Sequence, residues 1–236
     1  MSAIYKREMR VYFTSPIGYI FIAIFYAVNG ALFSYFTLQN GENSNVASYF
    51  VTLLYVFIIV IPLLTMKLFS EEKKLRTEQL LLSAPVSLSS MVCAKFFAAY
   101  TMFAGTFLVS SLTGFLALYQ YGKPNTAVLV GNVLGILLIG GAFIAIGVFL
   151  SSLTENQLVS AISTIAVIAA LLFLSYFNQY IGSSAVRTVL NWFSIFSRFV
   201  DFSYGILNIN SLLYYASVMF VFLFLTVRVY ERKRWE

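Results

Sequence analysis

The chain has 236 residues, of which 60% are apolar and only 10% are charged, and its mean hydropathy is +0.86. A soluble domain of this length could not cover so much apolar surface, so the composition predicts a membrane protein. One cysteine and no histidine exclude an intramolecular disulfide, a cysteine metal cluster and Ser-His or Cys-His catalysis, and we predict no metal site and no nucleic-acid partner.

The first predicted element is a short helix over residues 3–14. Its aromatic and apolar side chains share one face and its basic side chains share the other: Tyr5, Met9, Tyr12 and Phe13 against Lys6, Arg7 and Arg10. This pattern is typical of a helix that lies in the membrane interface with its basic side toward the headgroups. The alternative is a basic flank whose only role is to orient the first span.

Six uncharged segments are long enough to cross a hydrocarbon core of about 30 Å at a rise of about 1.5 Å per residue. They are 17–38, 47–66, 96–119, 127–152, 158–177 and 208–227. Ser15 and Pro16 are suited to cap and begin the first of them. The fourth contains Gly131-x-x-x-Gly135, a spacing that permits another segment to pack closely against it. We predict a single all-α transmembrane domain over residues 1–236.

The densest charge lies between the second and third spans. Seven of the 24 charged residues fall between Lys67 and Glu78. A charge at the bilayer centre costs roughly 2.5–3.5 kcal/mol, so the loop over residues 67–95 must lie outside the hydrocarbon.

Within this loop, Leu68, Leu75 and Leu82 recur every seven residues, which predicts a helix with one apolar stripe. Two i,i+4 pairs favour the same helix, Glu72–Arg76 and Lys74–Glu78. Pro85 ends it. An apolar stripe on a charged helix indicates a docking surface for a partner, and an ordinary solvated loop is the alternative.

The segment 178–207, between the fifth and sixth spans, is amphipathic. Its aromatic side chains step at three- and four-residue spacing and include Trp192, Phe193, Phe196 and Phe199. This spacing predicts one or two short helices on the outer surface. The alternative is that the aromatic side chains are simple interfacial anchors.

Basic residues predict the orientation. Twelve of the 15 Lys and Arg residues lie at the N-terminus, in the loop 67–95 or in the C-terminal tail, and three lie on the other side. Positive charge is retained on the cytosolic side, so both termini and the charged loop are predicted to be cytosolic.

The residues do not predict an enzyme. No charged residue lies well inside a predicted span, as an ion-coupled carrier or a proton relay would require, and no P-loop motif is present. If the protein moves a substrate, the energy comes from another subunit, which would dock on the charged loop. A passive channel and a membrane scaffold without transport activity remain open from the residues alone.

Residues 69–87 carry a family resemblance. They read Phe-Ser-Glu-Glu-Lys-Lys-Leu-Arg-Thr-Glu-Gln-Leu-Leu-Leu-Ser-Ala-Pro-Val-Ser, and Lys95 follows. This sequence resembles the loop of type-2 ATP-binding-cassette (ABC) exporter permeases, whose pattern is roughly E-E-K-x-x-G-T-x-E-x-L-L-x-x-P-x-S and then G-K. Arg76, Gln79 and Ala94 stand where that family usually has glycine, glutamate and glycine. The segments 5–8, 12–19, 197–206 and 225–232 resemble its gliding-motility-associated branch.

The resemblance implies an exporter half in the bacterial plasma membrane. Two such permeases, as a homodimer or a related heterodimer, would each rest on a cytosolic ATPase subunit that binds ATP and Mg, with no cofactor in this chain. The branch also implies a second membrane protein with a large extracytoplasmic domain. The loop would couple to the ATPase, and the segment 178–207 would form an outer lid. The coupling residues are predicted as Glu71, Glu72, Leu75, Arg76, Glu78, Gln79 and Leu82, and the lid residues as Trp192, Phe193, Phe196 and Phe199.

Overall fold

The computed structural model describes residues 1–39, 46–79, 86–121, 125–178, 187, 190–192 and 194–235. Within these residues helices and turns make up the chain, and no strand occurs. In chain order the helices are α1 Ser2–Thr14, α2 Pro16–Phe33, α3 Ala47–Thr65, α4 Ser70–Lys74, α5 Leu88–Tyr121, α6 Thr126–Leu153, α7 Gln157–Asn178, α8 Ile195–Ser203 and α9 Ile209–Trp235. Helix α2 continues into a π-helical turn over Ser34–Gln39.

Six of these helices, α2, α3, α5, α6, α7 and α9, are long and apolar enough to cross a membrane. The predicted all-α class with six spans is therefore confirmed. Two bounds differ from the prediction. Helix α5 begins at Leu88, two turns before the predicted span, and α9 continues to Trp235. At 34 residues α5 is about 51 Å long, which exceeds the hydrocarbon core, so it extends beyond the bilayer.

Helix α6 is the centre of the bundle and contacts α3, α5, α7, α8 and α9. Its glycines allow the close approach that the sequence predicted. A Cβ atom built on Gly131 would lie 2.7 Å from the carbonyl oxygen of Phe202, and one on Gly135 would lie 2.9 Å from the Phe199 ring. The segment that approaches is therefore the short helix α8, which packs directly onto α6.

Because consecutive spans alternate in direction, one end of the bundle gathers α1, α4, the first turns of α5 and the last turns of α6 and α9. We call this the basic end. It carries twelve basic residues, whereas Arg187 and Arg198 are the described basic residues at the opposite end. The positive-inside rule predicts that the basic end is cytosolic.

Cysteine labelling tests this orientation. Cys93 lies near the start of α5 and is partly exposed. A membrane-impermeant maleimide should leave Cys93 unmodified in intact spheroplasts and modify it in inverted vesicles. In a Cys93→Ala background, the variant Ile206→Cys at the opposite end should show the reverse pattern, because Ile206 is exposed. Modification of Cys93 from outside intact cells would contradict the orientation.

Candidate functional site

The charged segment after α3 does not form the single helix that the sequence predicts over residues 67–82. Helix α3 ends at Thr65, a turn follows over residues 66–69, and α4 covers only Ser70–Lys74. The chain then turns at Arg76, whose φ angle is +56°. We call residues 66–79 the junction. The prediction was wrong because tertiary contacts, described below, outweigh the seven-residue leucine spacing.

Arg76 ends α4 in a Schellman cap. The Arg76 amide donates to the carbonyl oxygen of Lys73 at 3.0 Å, and the Thr77 amide donates to that of Glu72 at 2.9 Å. This cap places one residue in the left-handed conformation, which is usually glycine because a Cβ atom is strained there. The glycine that type-2 permeases usually have at this position can adopt the left-handed conformation without strain. Arg76 adopts the same conformation at a cost in free energy.

Replacing Arg76 by glycine should relieve that strain. We expect Arg76→Gly to raise the free energy of unfolding by about 1 kcal/mol, since the left-handed conformation costs an L-residue roughly 1–2 kcal/mol. Thermal unfolding in detergent measures the change, with Thr77→Gly as the control that should not stabilise. A destabilised Arg76→Gly variant would show that the arginine side chain makes a contact worth more than the strain.

Lys95 forms the first anchor of the junction. Its side chain is 1% exposed, and its Nζ atom lies 3.2 Å from Glu8 Oε1 and 3.0 Å from Glu72 Oε1. Nζ also donates to the carbonyl oxygen of Leu68 at 2.6 Å. A buried ammonium is stable only when it is paired and hydrogen-bonded, and this one meets both conditions. Lys95 thereby ties α5 to both α1 and α4.

Arg7 completes a ring of four alternating charges, which we call the charge ring: Arg7, Glu8, Lys95 and Glu72. Arg7 Nη2 lies 2.5 Å from the Oε1 atoms of both glutamates. Burial alone would lower the pKa of the Arg7 guanidinium, but the hydrogen bonds and charges of Glu8 and Glu72 raise it above its usual value. Each carboxylate therefore has two cations beside it.

Tyr12 makes a second contact between α1 and the end of α3. Its hydroxyl donates to the carbonyl oxygen of Leu64 at 3.0 Å. Burial, with a smaller contribution from the charge of Glu8, raises the pKa of this hydroxyl, so it stays a proton donor at physiological pH. Helix α1, which the sequence predicts to lie in the membrane interface, is thus packed against the bundle.

The end of α6 is the second anchor. Ser151 Oγ accepts from the amides of Phe69 at 3.1 Å and Ser70 at 3.2 Å, and it donates to the carbonyl oxygen of Met66 at 3.2 Å. The first amides of a helix have no partner within the helix, so Ser151 caps α4 from a distant helix. Lys73 donates to the carbonyl oxygen of Ser152, which adds a second bond to the same turn.

The C-terminal part of α9 is the third anchor. The rings of Phe69 and Tyr230 lie 4.9 Å apart, and both side chains are buried. Lys233 Nζ lies 3.3 Å from Glu78 Oε1. The junction is therefore bound on three sides, by α1 with α5, by α6 and by α9, so it cannot shift without displacing the ends of these helices.

The structure separates the predicted coupling residues into two groups. Glu72 and Glu78 point into the bundle, toward the charge ring and Lys233, so the predicted i,i+4 pairs with Arg76 and Lys74 are not formed. Leu75 is 64% exposed, and Arg76 and Gln79 are exposed as well.

Two other members of the predicted surface behave differently from the exposed group. Glu71 is partly exposed and lies 3.8 Å from Lys67. Leu68 is buried, so the predicted apolar stripe does not lie on one exposed face. Leu82 lies outside the described residues.

An open groove of ≈ 270 Å³ lies between the junction and α1, beside the contact of Arg7 with Glu72. Its walls include Val11 and Ile17 on one side and Leu75 and Glu71 on the other, and the charge ring lies at its floor. Exposed apolar side chains therefore meet at the rim of this groove, at the basic end of the bundle.

Sequence reasoning missed Glu8, Ser151, Tyr230 and Lys233 as parts of this site, and it named Lys95 only as part of the loop pattern and not as the partner of Glu8 and Glu72. The only local signal was the isolated acid of Glu8 within a basic helix. The contacts of Lys95 with Glu8, of Ser151 with Phe69 and of Lys233 with Glu78 join residues that are 82 or more positions apart along the chain. No pattern in one sequence shows such a pairing.

At the opposite end, the predicted lid residues also separate. Ser194 accepts from the Ser197 amide and begins α8, and this new helix changes the phase of the aromatic spacing. Phe199 is fully buried against α6, whereas Trp192 is 70% exposed. The Phe196 ring lies between those of Tyr55 and Tyr176, at 6.5 and 6.1 Å. Phe193 lies outside the described residues.

A family model described as ABC-2 family transporter protein matches residues 28–229. The chain belongs to the ABC-2 transporter family. It is a multi-pass membrane protein and a permease subunit of an ABC transporter, a class that works with a partner ABC ATPase and is not itself catalytic. Comparison with curated proteins gives no match. Glu72 and Lys95 of the permease lie inside the matched range, and Arg7 and Glu8 precede it.

Proposed function

We propose that this permease exports a substrate across the bacterial plasma membrane, and that its junction is the surface on which a cytosolic ABC ATPase docks. The observation that supports this most is the combination of an exposed tip, at Leu75, Arg76 and Gln79, with a base anchored to three parts of the bundle. Apolar side chains exposed in water are typical of a protein interface.

The anchors suggest how ATP-driven movement would reach the membrane. An ATPase that closes on ATP and Mg would push the tip of the junction. Because the junction is bonded to α1, α5, α6 and α9, the force would reach the ends of three spans at once. Rigid, packed and hydrogen-bonded elements are what carry such a displacement over distance. No nucleotide site in the permease is needed for this mechanism.

A channel within one copy of the chain has little support. The polar side chains of α6 and α7 that could line a pore include Asn132, Ser160 and Thr164. Asn132 donates to the carbonyl oxygen of Val128, and Thr164 donates to that of Ser160, each within its own helix. All three side chains are fully buried within one copy of the chain, and we infer that any path lies between two permeases, as a homodimer or a related heterodimer.

The gliding-motility-like branch remains a proposal that rests on the resemblance of α1 and α8. It adds a partner with a large extracytoplasmic domain to the ATPase and the second permease.

Purification of the intact assembly tests the proposed function. The chain, carrying an affinity tag, is isolated from its native membranes in mild detergent. We expect an ABC ATPase to copurify in stoichiometric amounts, and its vanadate-sensitive ATP hydrolysis to change when the permease is removed. A permease that purifies without any ATPase would favour the scaffold or channel alternatives.

We also propose that α8 closes the outer end of the permease, with Phe196 as its contact between α3 and α7. Phe196→Ala removes the two ring contacts with Tyr55 and Tyr176, so closure should weaken and basal ATPase activity of the assembled complex should rise about two- to fivefold, the effect of roughly 0.5–1 kcal/mol. Trp192→Ala is the control, because Trp192 is exposed. Unchanged activity in a normally assembled Phe196→Ala complex would favour simple anchoring.

A further inference from the structure

A groove begins beside α8 and runs along the bundle as far as Ile146 of α6. It has a volume of ≈ 560 Å³, and most of its lining is apolar. Helices α6, α7, α8 and α9 contribute to it. Its lining side chains include Val167, Leu171, Val218, Val221 and Phe222, with Trp192, Ile195 and Arg198 toward the end near α8.

Among the described residues of this lining, Arg198 is the one cationic side chain and none is acidic. Its guanidinium stacks 4.2 Å from the centre of the Tyr214 ring. The Nε atom is buried and has no hydrogen-bond partner. None of the described carboxylates forms an ion pair with Arg198, and the nearby Asp201 accepts from Asn208 at 3.1 Å instead. No described carboxylate neutralises the charge of Arg198, so an anionic ligand at this end of the groove is favoured.

The α9 wall of the groove is long enough for much of an acyl chain. From Tyr214 to Phe222 there are eight residues, or about 12 Å, and half of the hydrocarbon core is about 15 Å. Trp192 stands exposed at the same end as Arg198, and tryptophan prefers the level of the lipid headgroups. The cation therefore lies where a lipid phosphate would be, and the apolar walls lie where its acyl chain would be.

We propose that this groove is a binding site for one anionic phospholipid, with the phosphate on Arg198 and an acyl chain along the walls of α7 and α9. Arginine presents planar N–H donors that match phosphate oxygens. A neutral acyl chain alone would also fit the walls, but it would leave the charge of Arg198 without a counter-ion. This site does not depend on the ATPase or on the direction of transport.

Fluorescence quenching by brominated lipids tests the site, because the chain has only two tryptophans. The full-length variant Trp235→Phe keeps Trp192 as its single tryptophan. It is placed in phosphatidylcholine vesicles with increasing amounts of brominated phosphatidylglycerol or brominated phosphatidylcholine. We expect half-maximal quenching at an about fivefold lower mole fraction of the phosphatidylglycerol, the effect of one basic side chain near a membrane surface.

Three further variants identify the cause. Arg198→Gln should abolish the preference, and Ser217→Phe should also abolish it by filling the groove while leaving the charge in place. Arg187→Gln changes another arginine at the same end and should keep it. Equal quenching by the two lipids in the Trp235→Phe parent, or no quenching by either, would overturn the proposal without any further variant. A preference that survives Arg198→Gln would overturn it as well.

Discussion

Replacing Lys95 by methionine is expected to lower the free energy of unfolding by about 3–5 kcal/mol, the range measured when one partner of a buried ion pair is removed. Lys95 is almost fully buried, and it lies within 3.2 Å of two carboxylates. Methionine fills similar space but leaves Glu8 and Glu72 with Arg7 as their shared cation. Chemical unfolding in detergent micelles, followed by circular dichroism, measures the loss.

The control is Lys67→Met. Lys67 is a partly exposed lysine of the same segment, 3.8 Å from Glu71, and exposed pairs contribute about 0–1 kcal/mol. Restoring neutrality should recover part of the stability: the double variant Lys95→Met with Glu72→Gln keeps Arg7 paired with Glu8 and should be more stable than Lys95→Met alone. Equal losses for Lys95→Met and Lys67→Met would show that the charge ring does not hold α1, α4 and α5 together.

The second large effect is expected at Leu75. An aspartate in its place should release the ATPase, because an apolar anchor at the centre of an interface typically contributes 2 kcal/mol or more, a weakening of about 30-fold. Leu75 is 64% exposed, so the permease itself should fold normally, since surface changes away from such features usually stay within about 0.5 kcal/mol. A pull-down of the ATPase, with a size-exclusion profile of the permease, measures both.

The matched control is Ile206→Asp. Ile206 is 59% exposed, but it lies at the opposite end of the bundle, where no ATPase is expected. The ATPase should stay bound to this variant at wild-type stoichiometry. Equal retention by Leu75→Asp and Ile206→Asp would remove the junction as the docking element.

A charge reversal at Glu78 needs a different control, because Lys233 already neutralises that carboxylate. Glu78→Lys would both change the docking surface and repel α9. The exchange of Glu78→Lys with Lys233→Glu keeps the internal pair and reverses its direction. Recovery of ATPase binding in the exchange variant would assign Glu78 to holding the junction in place, whereas continued loss would assign it to contact with the ATPase.

The six spans could be predicted from the sequence because each is an uncharged segment longer than the bilayer core requires. The residues at which the spans begin and end could not be predicted in this way. Beyond the hydrocarbon, the helices continue or stop according to their packing partners. Helix α5 begins at Leu88, which is buried, whereas α3 stops at Thr65, where Ser151 of a distant helix supplies hydrogen bonds to the following turn.

The form of the candidate site could not be predicted from the sequence. The leucine spacing of the charged loop indicated one continuous helix. The structure divides it because Leu68 is buried in the bundle and Arg76 adopts the left-handed conformation. Glu72 is also turned inward by Lys95 and Arg7. A leucine repeat within one segment does not show which charged side chains of other helices will contact that segment.

Site-specific photo-crosslinking from position 75 tests the central claim, that the tip of the junction contacts the ATPase. A photoreactive phenylalanine analogue replaces Leu75 in the full-length permease, and a second variant carries it at Ile206. Irradiation of native membranes should join the permease to its ATPase from position 75 and not from position 206. Crosslinking from neither position, in membranes where the ATPase copurifies with the unmodified permease, would contradict the claim and place the contact elsewhere.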